Sequence, residues 1–189
     1  MTKIPLFIHI PKTGGMSVRS VCQPPPWIDE QWRHGTQEEW MDALGDRYSE
    51  FSVFTVVREP ISRFWSAWWY LRTQQPGHQF YISDAAERMV LAQYNKPLEF
   101  VTKLGHRFSD FLHFAPQSLW LCSDVDYVLR FESLDADFAA MCRKEGWHNI
   151  PLPHVNKTKR KGRMLRTEEM DNAIKEAYRD DYRRFGYDG

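Results

Sequence analysis

The chain is poor in cysteine, since only Cys22, Cys122 and Cys142 occur among its 189 residues. Their number is odd and their spacing is wide, which fits neither a disulfide framework nor a metal-binding motif. We expect all three to be small buried residues. A chain without a disulfide framework is typical of a reducing compartment, and the predicted location is the cytoplasm.

Long hydrophobic runs are also missing. The first apolar run ends at Pro11, and no longer one occurs later in the chain. Such a run is too short for a transmembrane helix or a signal peptide. The sequence therefore predicts no membrane span, in agreement with a cytoplasmic protein.

An excess of charge of one sign is absent as well. Lys and Arg number 25 and so do Asp and Glu, while 42% of the residues are hydrophobic. No overall field attracts nucleic acid, so we expect no nucleic-acid partner, and any anion site has to be local. The length and composition predict one globular domain that covers residues 1–189.

Strand-like and helix-like segments alternate along the chain. Such alternation predicts an α/β fold of three layers, in which a mainly parallel sheet of about four to five strands is covered by helices. A capping threonine and an apolar stripe predict one amphipathic helix over residues 167–185. The predicted strands are residues 6–10, 51–57, 118–122 and 127–131, and other predicted helices include residues 61–72 and 134–144.

The segment "FIHIPKTGGMSVRS" places Lys12, Gly14 and Gly15 between the first strand and a helix. Backbone N–H groups at such a junction converge on one point and suit a phosphate or a sulfate. Glycine lets the backbone approach the anion, lysine adds a compact cation, and Thr13 and Ser17 can add hydroxyl donors. An ordinary strand-to-helix turn with an exposed lysine is the alternative.

The second strong strand, "FTVVREP", ends in Arg58. In magnesium-dependent P-loop enzymes an aspartate commonly supports the metal at the end of a strand. Arginine is a phosphate clamp and not a metal ligand, so a metal-dependent nucleotide kinase is disfavoured. Ser66 follows on the next helix and could share a ligand with Arg58. A salt bridge at the sheet edge is the alternative role for Arg58.

These segments resemble the cofactor motifs of sulfotransferases that use 3′-phosphoadenosine 5′-phosphosulfate (PAPS). The carbohydrate sulfotransferase branch, with heparan sulfate 2-O-sulfotransferase and soluble microbial relatives, is the most similar. The resemblance extends in order along nearly the whole chain. It rests on "FIHIPKTGGMS", "FTVVREPISRFWSAWWY", "APQSLWL", "DYVLRFESLDADF", "LPHVNKTKR" and "YRDDYRRFGY".

The resemblance implies a P-loop NTPase-like fold, PAPS as sulfate donor, 3′-phosphoadenosine 5′-phosphate (PAP) as product, and no metal. Sulfuryl transfer would go in line to a hydroxyl or an amine, on a carbohydrate or a small molecule. Lys12 would also act in catalysis by neutralising charge on the leaving group. Arg58 and Ser66 would hold the 3′-phosphate, and the 5′-phosphosulfate loop would consist of Lys12, Thr13, Gly14, Gly15, Met16 and Ser17.

Two residues depart from the family pattern. Met16 stands where the family usually has Thr or Ser, so one hydroxyl contact to the 5′-phosphate is missing. Its backbone N–H can still donate, and we expect weaker or reshaped binding. Glu59 replaces the more usual Asp or Asn before Pro60, which we expect to alter only the capping of the next helix.

His34, in "WRHGT", matches the histidine that this branch carries between its two cofactor motifs. It is the candidate base, since histidine titrates in the required range. An exposed loop histidine is the alternative; His154 is the second candidate, and His9 is expected to be structural. Arg160 and Lys161, followed by glycine, resemble the Arg-Lys-Gly that cytosolic sulfotransferases place against the 3′-phosphate; a solvated basic loop is the alternative.

Two other functions stay open. A small nucleotide kinase is disfavoured by Arg58 and by glycines that follow Lys12 instead of preceding it. A non-catalytic nucleotide-binding module is also possible, since an intact loop does not prove turnover. The acceptor pocket is built from variable loops, so the sequence leaves open a glycan, a lipid, a small metabolite or a protein tyrosine.

Overall fold

The computed structural model describes residues 3–22, 34–148, 150–153 and 166–188. These residues form three β-strands and eight α-helices, joined by loops and short 3-10 turns. The strands are β1 (Ile4–Ile8), β2 (Phe51–Val57) and β3 (Tyr127–Arg130). The helices are α1 (Gly15–Arg19), α2 (Gln37–Leu44), α3 (Pro60–Thr73), α4 (Ala85–Ala92), α5 (Pro97–Leu104), α6 (Leu134–Glu145), α7 (Glu168–Ala177) and α8 (Arg179–Phe185).

The strands form one parallel sheet in the order β1-β2-β3. Every residue of β2 is buried, which explains why "FSVFTVV" is continuously apolar apart from one serine and one threonine. The hydroxyl of Thr55 donates to the carbonyl of Ile8 at 2.8 Å, so its polar atom is satisfied inside the sheet. The predicted parallel α/β architecture is confirmed.

The expected number of four to five strands is not reached within the described residues. The predicted strand at 118–122 is wrong, because this segment contains a 3-10 turn, Gln117–Trp120. A strand would point residues i and i+3 to opposite faces, whereas a 3-10 turn places them on the same side. Gln117 and Trp120 are both buried, so only the turn satisfies both side chains.

The chain divides into two compact units. The first consists of Met1–Arg58 and Gln117–Lys157, and the second of Glu59–Pro116 and Thr158–Gly189. The first unit contains the sheet with α1, α2 and α6. One face of its sheet packs on α1 and α6 through a cluster of Val18, Phe54, Val56, Leu129, Phe138, Met141 and Cys142.

The second unit contains α3, α4, α5, α7 and α8, and its core is rich in aromatic rings. Trp68 of α3 is 1% exposed and belongs to this core. Glu59 caps α3 by accepting from the N–H groups of Ile61 at 3.0 Å and Ser62 at 2.6 Å. Glu59 therefore caps the helix, but its role is not limited to the cap as expected, because the hydroxyl of Tyr182 also donates to its Oε1 at 2.7 Å.

The predicted helix at 167–185 is in fact two helices, α7 and α8. They meet at Tyr178, whose backbone angles of −116° and 23° leave the helical region. Its side chain is 1% exposed, and its hydroxyl donates to the carbonyl of Phe114 at 2.7 Å. This buried hydrogen bond accompanies the break, and the apolar stripe gives no sign of it. Thr167 caps α7 as predicted by accepting from the N–H of Met170.

Candidate functional site

The parallel sheet brings the carboxyl ends of its strands to one edge, and the candidate residues of the first unit follow these ends. The loop of residues 9–14 leaves β1, Arg58 leaves β2, and Phe131 leaves β3. Binding sites of parallel α/β sheets commonly lie at this edge. The predicted anion loop therefore lies at the edge of the sheet where ligands commonly bind.

The loop between β1 and α1 has an unusual backbone at two positions. Lys12 has φ 69°, and it is the only described residue other than glycine with a positive φ. This conformation costs roughly 1–2 kcal/mol for an L-residue, so the surrounding loop has to enforce it. Gly14, with φ 86°, is the N-cap of α1. The loop therefore turns sharply on both sides of Thr13.

The side chain of Thr13 stabilises this turn. Thr13 is completely buried, and its hydroxyl donates to the carbonyl of Ile10 at 2.9 Å. The proton of this hydroxyl is thereby engaged inside the loop. The predicted cofactor contact of Thr13 therefore depends on its backbone.

Gly15 is the first residue of α1, and the ring of His9 leaves no space for a side chain at this position. A β-carbon on Gly15 would lie 2.2 Å from Cδ2 and 2.4 Å from Nε2 of His9. His9 is 5% exposed, so its ring has little room to move aside. The predicted structural role of His9 is supported, because its ring packs directly against the start of the helix.

Arg58 contacts the loop from the neighbouring strand. Its guanidinium donates through Nη1 to the carbonyl of Lys12 at 3.4 Å, a long hydrogen bond. The guanidinium carbon also lies 4.1 Å from the centre of the Phe131 ring, in a cation–π arrangement. Phe131 further borders Gly14, since a β-carbon there would meet its ring at 2.8 Å. Arg58, Phe131 and the loop thus form one contiguous group.

His34 lies half-buried just before α2. The helix begins after Thr36, which forms a capping box with Glu39 and so fixes the chain next to His34. The ring nitrogen Nδ1 of His34 is 2.9 Å from the carbonyl oxygen of His9, and the two rings are 4.5 Å apart. A carbonyl only accepts, so Nδ1 carries the proton and Nε2 of the neutral ring is the acceptor.

The other predicted site residues have different positions. Met16 and Ser17 lie half-buried in the first turn of α1, where the N–H of Ser17 donates to the carbonyl of Gly14 at 3.0 Å. Ser66 lies half-buried on α3 in the second unit. His154, Arg160 and Lys161 lie outside the described residues, and their roles stay predictions.

Two residues of this group were missed by the sequence analysis. Gln117 bonds the backbone of Arg58 with both atoms of its amide, and Phe131 stacks on the guanidinium. Both lie in segments that were quoted for the family resemblance, "APQSLWL" and "DYVLRFESLDADF". Neither residue type predicts such a role by itself, because it depends on a pairing across more than fifty positions.

Within the described part of the chain, no group of three or more His, Cys, Asp or Glu side chains could hold a metal ion. No helix in the described ranges has the length and apolar character needed to cross a bilayer.

Comparison with known proteins identifies the family. The sequence matches the sulfotransferase family over residues 6–188. The chain belongs to the sulfotransferase family, and it is an enzyme of the class that transfers sulfuryl groups. Members of this family have a P-loop-like fold and typically use PAPS. Searches of curated proteins and of solved structures find no match.

Proposed function

We propose that the protein transfers a sulfuryl group from PAPS to a hydroxyl or an amine on a carbohydrate or a small molecule. The observation that carries this proposal is the direct contact between Arg58 and the Lys12 loop. Two cationic residues from separate strands belong to one group at the carboxyl edge of the sheet. Cations on two neighbouring loops suit a nucleotide that carries phosphate groups at two places.

The residues present fit PAPS by their donor chemistry. Lys12 provides a mobile ammonium, Arg58 a planar fork of N–H donors, and the loop backbone further N–H groups. When bound, PAPS supplies an activated sulfuryl group on its 5′-phosphate. We assign Lys12 to neutralising negative charge at the 5′ end and Arg58 to the 3′-phosphate, with Ser66, Arg160 and Lys161 as further contacts predicted by the resemblance.

We assign the base to His34. Its Nδ1–H donates to the carbonyl of His9, which places the lone pair of the neutral ring on Nε2, and in this proposal Nε2 takes the proton of the acceptor hydroxyl. The stack with His9 restrains the orientation of the ring. A base placed in this way contributes about 10²–10⁴ in rate.

Binding of the nucleotide is the first test. We expect calorimetry to detect PAP binding without magnesium, and alanine at Lys12 or Arg58 to weaken it. Binding of ATP that requires magnesium, with no binding of PAP, would instead indicate a nucleotide kinase.

Turnover is the second test, measured as transfer of labelled sulfate from PAPS to a library of glycans and small molecules. We expect His34→Ala to lower kcat by about 10²–10⁴, because the proton of the acceptor hydroxyl then loses its base. His106→Ala is the matched control, because this histidine is exposed on a 3-10 turn of the second unit. PAP binding without any labelled product would support a non-catalytic nucleotide-binding module.

A further inference from the structure

The buried side chain of Gln117 holds the backbone of Arg58. The N–H of Arg58 donates to Oε1 of Gln117 at 2.9 Å, and Nε2 of Gln117 donates to the carbonyl of Arg58 at 2.9 Å. Gln117 is 0% exposed. Both atoms of one amide are therefore bonded to both polar backbone groups of one residue.

The contact between Gln117 and Arg58 lies just beyond the end of the β2–β3 hydrogen-bond ladder. The β2–β3 ladder pairs its last residues at Val57 and Arg130, and Arg58 is the next residue along β2. A backbone without a strand partner can rotate, and its polar groups then turn to water. Because the amide of Gln117 bonds like a short strand segment, it extends the fixed backbone by one residue.

The other end of Arg58 is held independently. The ring of Phe131 lies under the guanidinium, and the carbonyl of Lys12 accepts from Nη1. A long side chain keeps one direction only when its backbone is fixed as well, since a change at the Cα moves the guanidinium by several ångströms. Gln117 fixes the backbone of Arg58, from which the side chain extends.

We propose that Gln117 is a positioning residue, which holds the Arg58 backbone so that the guanidinium meets the 3′-phosphate of the nucleotide. This inference rests on the proposed function, because it takes the 3′-phosphate as the ligand of Arg58. Gln117 itself does not touch the cofactor in this proposal. Its effect is selectivity for a nucleotide that carries a 3′-phosphate.

The experiment compares two probes, PAP and adenosine 5′-phosphate, which lacks the 3′-phosphate. Their ratio of dissociation constants measures the contribution of the 3′-phosphate alone. We expect the wild type to prefer PAP, and Gln117→Met to lower this preference about tenfold while the affinity for adenosine 5′-phosphate stays unchanged. In an Arg58→Ala background, Gln117→Met should have no further effect on the ratio.

A second, more conservative variant is included in case Gln117→Met does not fold. Gln117→Asn keeps a buried amide but is one methylene too short to reach both backbone groups, and we expect it to lose part of the preference. Thermal melting checks that each variant is folded before binding is measured.

The outcomes separate the inference from the proposed function. A wild type that does not distinguish the two probes overturns the assignment of Arg58 to the 3′-phosphate, and the inference fails with it. A wild type that prefers PAP, with Gln117 variants that keep the same preference or weaken both probes equally, overturns the inference alone. The second result would make Gln117 a general structural residue.

Discussion

Lys12, in the loop after β1, and Gly15, at the start of α1, are restrained by their surroundings in different ways. Lys12 adopts a backbone conformation that its side chain disfavours, while Gly15 has no space for any side chain. The first restraint concerns a torsion angle and the second a contact with His9. Since both lie within four residues of each other, small substitutions here should have large effects.

Gly15→Ala is the sharpest test of this restraint. The added β-carbon would overlap the His9 ring at 2.2 Å, and we expect a loss of stability of about 1–3 kcal/mol together with weaker PAP binding. Urea denaturation and calorimetry measure the two effects.

Gly105→Ala provides the control for this substitution. It places its β-carbon 3.3 Å from that of Ala177, and the φ of Gly105 is −55°. Its cost should stay below about 1 kcal/mol, because alanine is favoured over glycine in ordinary helical backbone. Equal losses for both variants would contradict the role of the His9 contact.

The expectation that all three cysteines are buried is wrong, since Cys122 is exposed and Cys22 is half-buried. The cysteines should therefore differ in reactivity. Burial, and secondarily the nearby Cys142, raises the pKa of the Cys22 thiol from 9.0 to about 11. Its thiolate fraction at pH 8 is then about a hundredfold lower than that of an ordinary thiol. We expect iodoacetamide at pH 8 to modify the exposed Cys122 first, as followed by mass spectrometry. Modification of Cys22 ahead of Cys122 would contradict the burial described here.

The same shift makes stability depend on pH. A thiol whose pKa is raised on folding stabilises the protein fully below pH 9, and this contribution is lost as the pH rises from about 9 to about 11. We expect the free energy of unfolding to fall less steeply over this range in Cys22→Ala than in the wild type. Identical slopes would contradict the shift.

At the scale of elements, local signals predicted some features and missed others. The bounds of β2 and the cap of α7 agree with the structure, because a continuous apolar run and a capping threonine are local features. The 3-10 turn at 117–120 and the break at Tyr178 were missed. Both coincide with hydrogen bonds from buried side chains to residues far away in sequence, and hydrophobic periodicity gives no information on such contacts.

Tyr178→Phe tests the break between α7 and α8. The substitution removes the hydrogen bond to Phe114 and leaves a buried carbonyl unsatisfied, so we expect a loss of about 1–3 kcal/mol in urea denaturation. Tyr94→Phe, which lies against the same aromatic cluster, is the matched control and should change stability by less than about 0.5 kcal/mol. A neutral Tyr178→Phe would show that the hydrogen bond is not needed for the break.

At the scale of the whole chain, charges from distant segments meet in the interior of the second unit. Arg63 of α3 is 1% exposed and Asp181 of α8 is 0% exposed. Burial lowers the pKa of Arg63, while Tyr178, Asp181 and Glu87 act in the opposite direction. The carboxylates of Asp181 and Glu87 thus favour the charged form of the buried guanidinium and link helices from both ends of this unit.

Asp181→Asn should therefore be strongly destabilising. It leaves the buried positive charge of Arg63 poorly compensated, and we expect a loss of about 3–5 kcal/mol in urea denaturation. The double variant Arg63→Met/Asp181→Leu removes both charges and should lose less than either single change. Additive losses would contradict electrostatic coupling between the two residues.

The candidate site could be predicted only in part from the sequence. Lys12, Gly14, Gly15 and Arg58 were identified because each stands directly after a strand within a short motif. Gln117 and Phe131 could not be found in this way, since their contacts with Arg58 exist only once the sheet has formed. Short sequence motifs thus indicate the residues that contact a ligand. They do not indicate the residues that hold those contact residues in position.

The position of β2 in the middle of the sheet also has a consequence for the order of folding. β2 pairs with β1 and with β3, and the pair Phe54 and Tyr127 is separated by all of α3, α4 and α5. Closing so long a loop is entropically costly and slows the formation of a parallel pair. The β2–β3 pairing should therefore be a late event, and the carboxyl edge of the sheet would be completed only when Tyr127–Arg130 docks beside Phe51–Val57.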